Sequence, residues 1–223
     1  MRFFCAADTL PNRFGLYVMF TDADYLESIK KDPQNSMMAL HVIKDIVLDL
    51  KYATASNFMK KQLYPSIKTT YLKRSAFQSL QAVQRELSMR KIGLKIWDAY
   101  RPYQTTVDMW EPIKDERFVA NPAKGSGHNR GISVDLTLID LNTGKELDMG
   151  TGFDDFSEKA SHDYSRLSTQ VLANRQLLNN VMKKHGFIAL ESEWWHYYMP
   201  GDHALMNFTF EQLKRLTNKA SKH

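Results

Sequence analysis

The chain has 223 residues, of which 43% are hydrophobic and 25% charged, and this composition suits one ordinary globular domain. Its formal net charge of +5 comes from basic residues that are mixed with acidic ones along the chain, which favours a solvated surface over a nucleic-acid binding face. The single cysteine, Cys5, excludes an intramolecular disulfide and a cysteine-based zinc knuckle.

The start of the chain and its longest apolar runs bear on where the protein works. Residues 1–7 are too short for the apolar segment of a signal peptide, and Asp8 interrupts them. We therefore expect a cytoplasmic protein, or a periplasmic one if a signal peptide has been removed. No apolar run is long enough to span a bilayer, and no pattern indicates an oligomeric state.

In the first half of the chain, the patterns indicate an extension followed by alternating elements. Residues 1–45 carry a turn signal at 32–35 and are expected to form an N-terminal extension packed on a domain that covers 46–223. The β-branched content of residues 46–52 predicts a strand. Helical spacing of apolar residues predicts a helix over 73–91 that ends before Gly93, and a second strand is expected at 94–99.

The second half predicts further helices and strands. Pro102 suits the first turn of a helix that reaches about Trp110. A strand with one buried face is predicted at 132–138, and residues 142–145 resemble a hairpin turn. The remaining predictions are a helix over 164–184, a hairpin formed by 187–190 and 194–198, and a terminal helix at 210–220. Together they predict an α+β fold: one domain with a small, mostly antiparallel sheet and flanking helices.

Two short segments concentrate side chains that bind metals. His128 lies in a glycine-flanked loop with Asp135 in the strand behind it, and Glu193 precedes His196 by three residues. A catalytic zinc ion takes three nitrogen or oxygen ligands and keeps a fourth position open. His128, Asp135 and His196 would supply these ligands, and Glu193 would remain off the metal to accept a proton from water.

Strand alternation supports Asp135 as a ligand. Val134 can point into the core while the Asp135 carboxylate points to a metal, and a carboxylate within an apolar strand needs such a partner. Taken alone, Asp135 could instead cap a turn, and the Trp194–Trp195 pair could simply pack in the core. Five other histidines are interpreted as surface or satisfied core residues: His41, His162, His185, His203 and His223.

The pattern Ser-x-His-x-x-Gly-x-x-x-Asp at 126–135, followed by Glu-x-x-His at 193–196, resembles the LAS family of zinc peptidases, which act on bacterial cell-wall peptides. The Glu-Trp-Trp-His-Tyr form and the segments at 49–58, 98–102 and 148–154 are similar to its D-Ala-D-Ala dipeptidase branch. The resemblance runs from about residue 46 to 198. It departs from the branch at Met59 and Lys60, which replace a Thr-Gly pair, and at Ser133, where alanine is common.

This resemblance implies an activity and a role for each matching residue. The activity is hydrolysis of D-Ala-D-Ala to two D-Ala, with one zinc ion held by His128, Asp135 and His196 and with Glu193 as base. Arg101 would stabilise the tetrahedral intermediate, or would form a structural ion pair with Asp98. The residues implied in substrate contacts are Ser126, Asp154 and Tyr100; Asp148 is an alternative to Asp154 for the ammonium group, and Tyr52 and Tyr100 could instead pack in the core.

Two other functions remain open at this stage. A carboxypeptidase or endopeptidase of the same family would act on longer wall peptides. A non-catalytic zinc-binding module would hold the metal without chemistry, and would need neither Glu193 nor Arg101.

Overall fold

The computed structural model describes residues 11–220; Cys5 and the opening residues discussed above lie outside this range. The strands are β1 (Val18–Met19), β2 (Met37–Ala39), β3 (Val47–Leu48), β4 (Tyr71–Lys73), β5 (Ile92–Asp98), β6 (Ser133–Asp140), β7 (Ile188–Ala189), β8 (His196–Tyr198) and β9 (Leu205–Met206). The α-helices are α1 (Asp22–Lys31), α2 (Arg74–Ser88), α3 (Tyr103–Ile113), α4 (Thr169–Lys184) and α5 (Phe210–Ala220).

Five of these strands form the central sheet, in the order β3-β5-β6-β8-β7. The β3–β5 pair is parallel and the other three pairs are antiparallel. Two smaller pairs complete the strands: β1 runs parallel to β9, and β2 runs antiparallel to β4. The prediction of a single α+β domain with a mostly antiparallel sheet is confirmed.

Helices α2 and α4 pack against each other and against the central sheet, α2 on β5 and α4 on β6. The apolar stripe of α2 that predicted this helix is completely buried, which contributes about 1.5–3 kcal/mol for each large side chain relative to exposure. On the sheet side, Val134, Leu136 and Leu138 enter the same core. The fully buried residues of the α2 stripe are Ala76, Leu80, Val83 and Leu87.

Two predicted elements differ from the structure. The strand expected at 46–52 is limited to Val47–Leu48, because Lys51–Ala53 form a 3-10 turn that buries Tyr52. The helix expected from residue 164 begins at Thr169, because the Ser168 hydroxyl caps it by accepting a hydrogen bond from the Val171 amide at 3.3 Å. Leu167, which lies at helical spacing before Val171 in the predicted helix, therefore precedes the observed one.

The predicted turn at 142–145 is present and closes an antiparallel bridge between Ile139 and Glu146. The Asp140 carboxylate accepts hydrogen bonds from the Asn142 and Thr143 amides, as expected for an aspartate that opens a turn. The terminal helix was predicted with the observed bounds.

The described part of the first 45 residues packs on segments from the rest of the chain. Tyr25 of α1 is 1% exposed, and its hydroxyl accepts a hydrogen bond from the Met37 amide at 2.8 Å. Its ring meets Phe208 edge to face, with 5.6 Å between the centroids. The domain boundary at residue 45 stays a prediction. Among the described residues, every helix is too short or too polar to cross a membrane.

Candidate metal centre and active site

Three polar side chains lie in one row across neighbouring strands of the central sheet. Asp98 at the end of β5 is opposite Asp135 in β6, and Asp135 is opposite His196 in β8. Residues that are directly opposite in an antiparallel pair face the same side of the sheet. Val134, next to Asp135, points into the core. The pairing of the strands therefore aligns two carboxylates and one imidazole on one face.

The loop between α3 and β6 brings His128 to this row. A Cβ atom on Gly127 would lie 2.0 Å from the Ser133 Oγ, so only glycine allows the loop to approach β6 so closely. Gly131 adopts φ +68°, in the left-handed region, and its carbonyl accepts a hydrogen bond from the Lys73 amide at 2.8 Å. The glycines that flank His128 thus set the position of its ring.

The side chains of His128, Asp135 and His196 converge on one point. Nε2 of His128 lies 3.2 Å from Nδ1 of His196 and 3.3 Å from Oδ2 of Asp135, and Oδ1 of Asp135 lies 2.8 Å from Nδ1 of His196. Ligands at 2.0–2.1 Å from a tetrahedral ion are separated by about 3.3 Å. Two imidazoles and one carboxylate at these separations could hold a divalent metal ion.

The hydrogen bond of His128 to the backbone orients its free lone pair. Nδ1 lies 2.6 Å from the Ala99 carbonyl oxygen, which can only accept, so Nδ1 carries the hydrogen. In the tautomer with the hydrogen on Nδ1, the lone pair of Nε2 points to the cluster, as in metal sites where an outer hydrogen bond fixes the tautomer. His128 is 2% exposed and Asp135 is 3% exposed, so the donor set is shielded from bulk water.

The charges in the cluster are strongly coupled. Burial disfavours ionisation of Asp135, but the adjacent His128 and His196 rings outweigh it and hold the pKa of the carboxyl far below its usual value. Burial also opposes protonation of His196, yet the hydrogen bond to Asp135 raises the pKa of that imidazole. A metal ion would take the place of the proton that this carboxylate attracts.

Glu193 lies beside the cluster and lines the same cavity. It is held in the turn before β8, where its carbonyl accepts a hydrogen bond from the His196 amide at 3.1 Å. Its half-buried carboxylate forms no hydrogen bond with any described residue. Burial raises the pKa of this carboxyl, and the negative charge of Asp135 adds to the increase. Glu193 is therefore a carboxylate with raised proton affinity that faces the cavity.

Arg101 is 7% exposed and forms an ion pair with Asp98, with Nε and Nη2 at 3.1 and 2.8 Å from Oδ2. The Tyr64 hydroxyl donates to the other oxygen of Asp98 at 3.0 Å. Nη2 of Arg101 also lies 4.0 Å from Oδ2 of Asp135, and the guanidinium sits over the Tyr52 ring. Arg101 thus forms a structural ion pair and also lies beside the candidate metal ligands.

Asp154 and Ser126 reach the cavity from two other loops. Both oxygens of the Asp154 carboxylate accept from the Tyr52 hydroxyl, at 3.1 and 3.2 Å. Burial, reinforced by the charge of Asp135, raises the pKa of Asp154 to about 8. Ser126 Oγ accepts a hydrogen bond from the His128 amide at 3.2 Å.

Tyr100 does not reach the cavity, which corrects the expectation that it contacts substrate. Its side chain is fully buried, and its hydroxyl donates to the Phe208 carbonyl and accepts from the Phe208 amide. Arg101 faces the cavity from the adjacent position, so Tyr100 points the other way into the core. Asp148 is absent from the cavity lining as well; its carboxylate accepts from the Gly150 amide within its own turn.

From the sequence, Asp98 was expected only as a possible partner for Arg101, but in the structure it completes the polar row. Its position opposite Asp135 follows from the antiparallel pairing of β5 and β6, which the sequence patterns did not reveal. The cavity itself has a volume of about 570 Å³, and it joins these polar groups to a set of aromatic side chains, of which only Phe58 lies in a segment that the resemblance matches. These aromatic residues are Phe58, Phe118 and Phe156.

Three candidate metal ligands that face a cavity, two of them buried and His196 partly buried, with a free carboxylate beside them, are typical of metal-dependent hydrolase centres. The family model described as D-ala-D-ala dipeptidase matches residues 34–215, and the chain belongs to this family of peptidases.

Relatives support this assignment over most of the chain. A protein of Escherichia coli named D-alanyl-D-alanine dipeptidase is 35% identical over 162 residues, covering 71% of this chain and 81% of the relative. Proteins with the same name from Enterococcus faecium and Streptomyces coelicolor are 30% and 32% identical. The match to the Enterococcus faecium protein covers 71% of this chain and 88% of the relative, and the match to the Streptomyces coelicolor protein covers 70% and 87%.

Proposed function

We propose that the chain hydrolyses the dipeptide D-Ala-D-Ala to two molecules of D-Ala, with zinc held by His128, Asp135 and His196 and with Glu193 as general base. The family and the names of the relatives support the substrate. The observation that supports the chemistry is the free carboxylate of Glu193, which lies in the same cavity as the three candidate metal ligands. A metal with a purely structural role would not need this group.

The donor set favours zinc over magnesium and calcium. Imidazole nitrogens suit zinc, whereas magnesium and calcium prefer oxygen ligands alone. His128, Asp135 and His196 would supply the three protein ligands that a catalytic zinc ion takes alongside water. When bound, zinc supplies Lewis-acid polarisation of the scissile carbonyl and lowers the pKa of the attacking water.

Glu193 moves the proton in this mechanism. Its carboxylate takes a proton from the water that attacks the scissile carbonyl, and then gives that proton to the nitrogen of the leaving D-Ala. Because burial raises the pKa of the carboxyl, Glu193 binds the proton more firmly than an exposed glutamate and can still release it to an amine.

Arg101 is suited to stabilise the charge that develops on the carbonyl oxygen. Its guanidinium is fixed by Asp98 and lies beside Asp135, so it is oriented before the reaction starts. Such preorganised positive charge in a shielded site lowers the barrier most when the charge appears only in the transition state.

The two ends of the dipeptide need partners of opposite character. Asp154, oriented by Tyr52, is suited to bind the ammonium group once its carboxyl is ionised. Ser126 offers a hydroxyl at the rim of the His128 loop for the terminal carboxylate. A site that binds both ends favours a free dipeptide over an internal segment of a longer chain.

The test measures D-alanine released from D-Ala-D-Ala by protein loaded with one equivalent of zinc and by the chelated protein. Glu193→Gln keeps the size of the side chain and removes its basicity, so turnover should fall by about 10²–10⁴-fold. The metal content is measured on the same samples, and it should stay at one zinc ion per chain.

Each alternative function has its own outcome in this experiment. No release of D-alanine by the zinc-loaded chain overturns the dipeptidase proposal. Release from an N-acylated or longer wall peptide, but not from the dipeptide, assigns carboxypeptidase or endopeptidase activity. Zinc binding without turnover of either substrate assigns a non-catalytic module.

A further inference from the structure

Three phenylalanines from three separate loops form a continuous wall along one side of the cavity, and we call it the aromatic wall: Phe58, Phe118 and Phe156. Phe156 is at its centre, with its ring centroid 5.4 Å from that of Phe58 and 4.9 Å from that of Phe118. Edge-to-face and tilted contacts at these distances stabilise a fixed arrangement of rings. The wall is therefore a formed surface rather than three independent side chains.

The aromatic wall leaves apolar surface open to water. Phe156 is 41% exposed, although it lines a cavity of about 570 Å³ that is also lined by the candidate metal ligands. Exposed aromatic surface gains about 25 cal/mol for each Å² that a ligand covers. D-Ala-D-Ala carries only two methyl groups as side chains, which cover little of this surface.

The position of Asp154 indicates which residue of the substrate meets the wall. Asp154 precedes Phe156 by two positions in the same loop, and Tyr52, which donates to Asp154, packs on Phe58 with 6.2 Å between the ring centroids. An ammonium group on Asp154 therefore lies next to the wall. The carbon that carries this ammonium belongs to the first residue of the dipeptide, so the side chain of that residue is the one that meets the wall.

We propose that the aromatic wall is an apolar subsite for the side chain of the N-terminal residue, so that the enzyme also takes D,D-dipeptides whose first residue is large and apolar. This inference rests on the proposed dipeptidase function and extends its substrate class. The reaction is unchanged: water adds across the same peptide bond, and the two amino acids are released.

The test compares kcat/KM for three dipeptides: D-Ala-D-Ala, D-Leu-D-Ala and D-Ala-D-Leu. In the wild type, D-Leu-D-Ala should be hydrolysed at least as efficiently as D-Ala-D-Ala. Phe156→Ala should lower the ratio of D-Leu-D-Ala to D-Ala-D-Ala efficiencies by about tenfold, because a lost apolar contact of this size changes specificity by 10–200-fold at most. Phe118→Ala serves as a second variant in another loop, and its ratio should fall in the same direction.

The matched control is Phe20→Ala, because Phe20 is 51% exposed and does not line the cavity; its ratio should equal that of the wild type. If D-Ala-D-Ala is hydrolysed but D-Leu-D-Ala is at least tenfold poorer, or if both wall variants keep the wild-type ratio, the subsite is refuted and the dipeptidase function stands. If the wall variants lower kcat/KM only for D-Ala-D-Leu, the wall does not bind the side chain of the first residue, and that assignment is refuted. Failure to hydrolyse any of the three refutes the proposed function, and the inference with it.

Discussion

The hydroxyl of Tyr52 donates to both carboxylate oxygens of Asp154 and so joins two segments that are 102 residues apart in the sequence. Tyr52 is 3% exposed and also lies under the guanidinium of Arg101. One tyrosine therefore connects the group proposed to bind the ammonium with the arginine proposed to stabilise the oxyanion.

The raised pKa of Asp154 predicts a pH dependence of stability in the metal-free protein. The native carboxyl has a pKa of about 8, well above its value in an unfolded chain. The folded state therefore binds more protons between pH 4 and 8, and stability falls as the pH rises through this window. Each unit of pKa difference contributes about 1.4 kcal/mol.

Asp154→Asn, which cannot ionise, should remove part of this loss. Thermal unfolding of the chelated wild type and variant between pH 5 and 8 measures the effect, and the variant should gain most relative to the wild type at pH 8. Parallel curves for the two proteins would contradict a raised pKa of Asp154.

In the zinc-loaded enzyme, Asp154→Asn should raise KM for D-Ala-D-Ala more than it lowers kcat.

Zinc should stabilise the fold, because its three ligands meet only in the native state. At a free zinc concentration of 100 times Kd, the gain is about 2.7 kcal/mol, which corresponds to roughly 5–10 °C in Tm for a chain of this size. His196→Ala should abolish the gain, and His41→Ala, which changes an exposed histidine outside the cluster, should retain it. Equal shifts in both variants would place the metal elsewhere.

Asp98 should be essential for the fold as well as for Arg101. Asp98→Ala leaves the guanidinium of Arg101 buried without a counter-charge, which costs about 3–5 kcal/mol. Asp115→Ala breaks an exposed pair with Arg117, a residue whose side chain is 78% exposed, and should leave urea unfolding almost unchanged. A small effect of Asp98→Ala would mean that another group neutralises Arg101.

Gly127 and Ser133 should show strong coupling in a double-mutant cycle. Gly127→Ala places a Cβ against the Ser133 hydroxyl, and overpacking of this kind costs about 1–3 kcal/mol. Ser133→Ala should be nearly neutral, because its buried hydroxyl lacks a hydrogen-bond partner in the structure. In the double variant the nearest contact becomes the Cβ of residue 133 at 3.2 Å, so part of the stability should return. Additive losses would exclude the contact as the cause.

Sequence periodicity predicted the elements whose buried face is regular. Helix α2 could be predicted because its apolar residues recur at helical spacing and all become buried. The start of α4 could not, because Leu167 continues the apolar pattern toward the N-terminus, whereas the capping hydroxyl of Ser168 makes the helix begin only at Thr169. The predicted strand at 46–52 is also too long, because a local 3-10 turn at its end overrides the β-branched content of the segment.

The candidate ligands could be proposed from motif spacing, but their surroundings could not. The Tyr52–Asp154 hydrogen bond joins distant loops and leaves no local pattern. The resemblance implied a substrate contact for Tyr100 and left core packing as the alternative, and the structure buries Tyr100 in the core while the adjacent Arg101 faces the cavity. The motif therefore identified the segment, and only the backbone direction determined which of its residues faces the site.

The direct pairing of Asp135 with His196 makes the proposed metal centre a reporter of strand alignment. Side chains alternate along a strand, so a slip of one residue between β6 and β8 would turn one of the two ligands to the opposite face. Tight zinc binding thus requires the correct register, and a misaligned chain would lose affinity for the ion. During refolding, zinc capture should follow the closure of this strand pair and would discriminate correctly assembled molecules from compact misfolded ones.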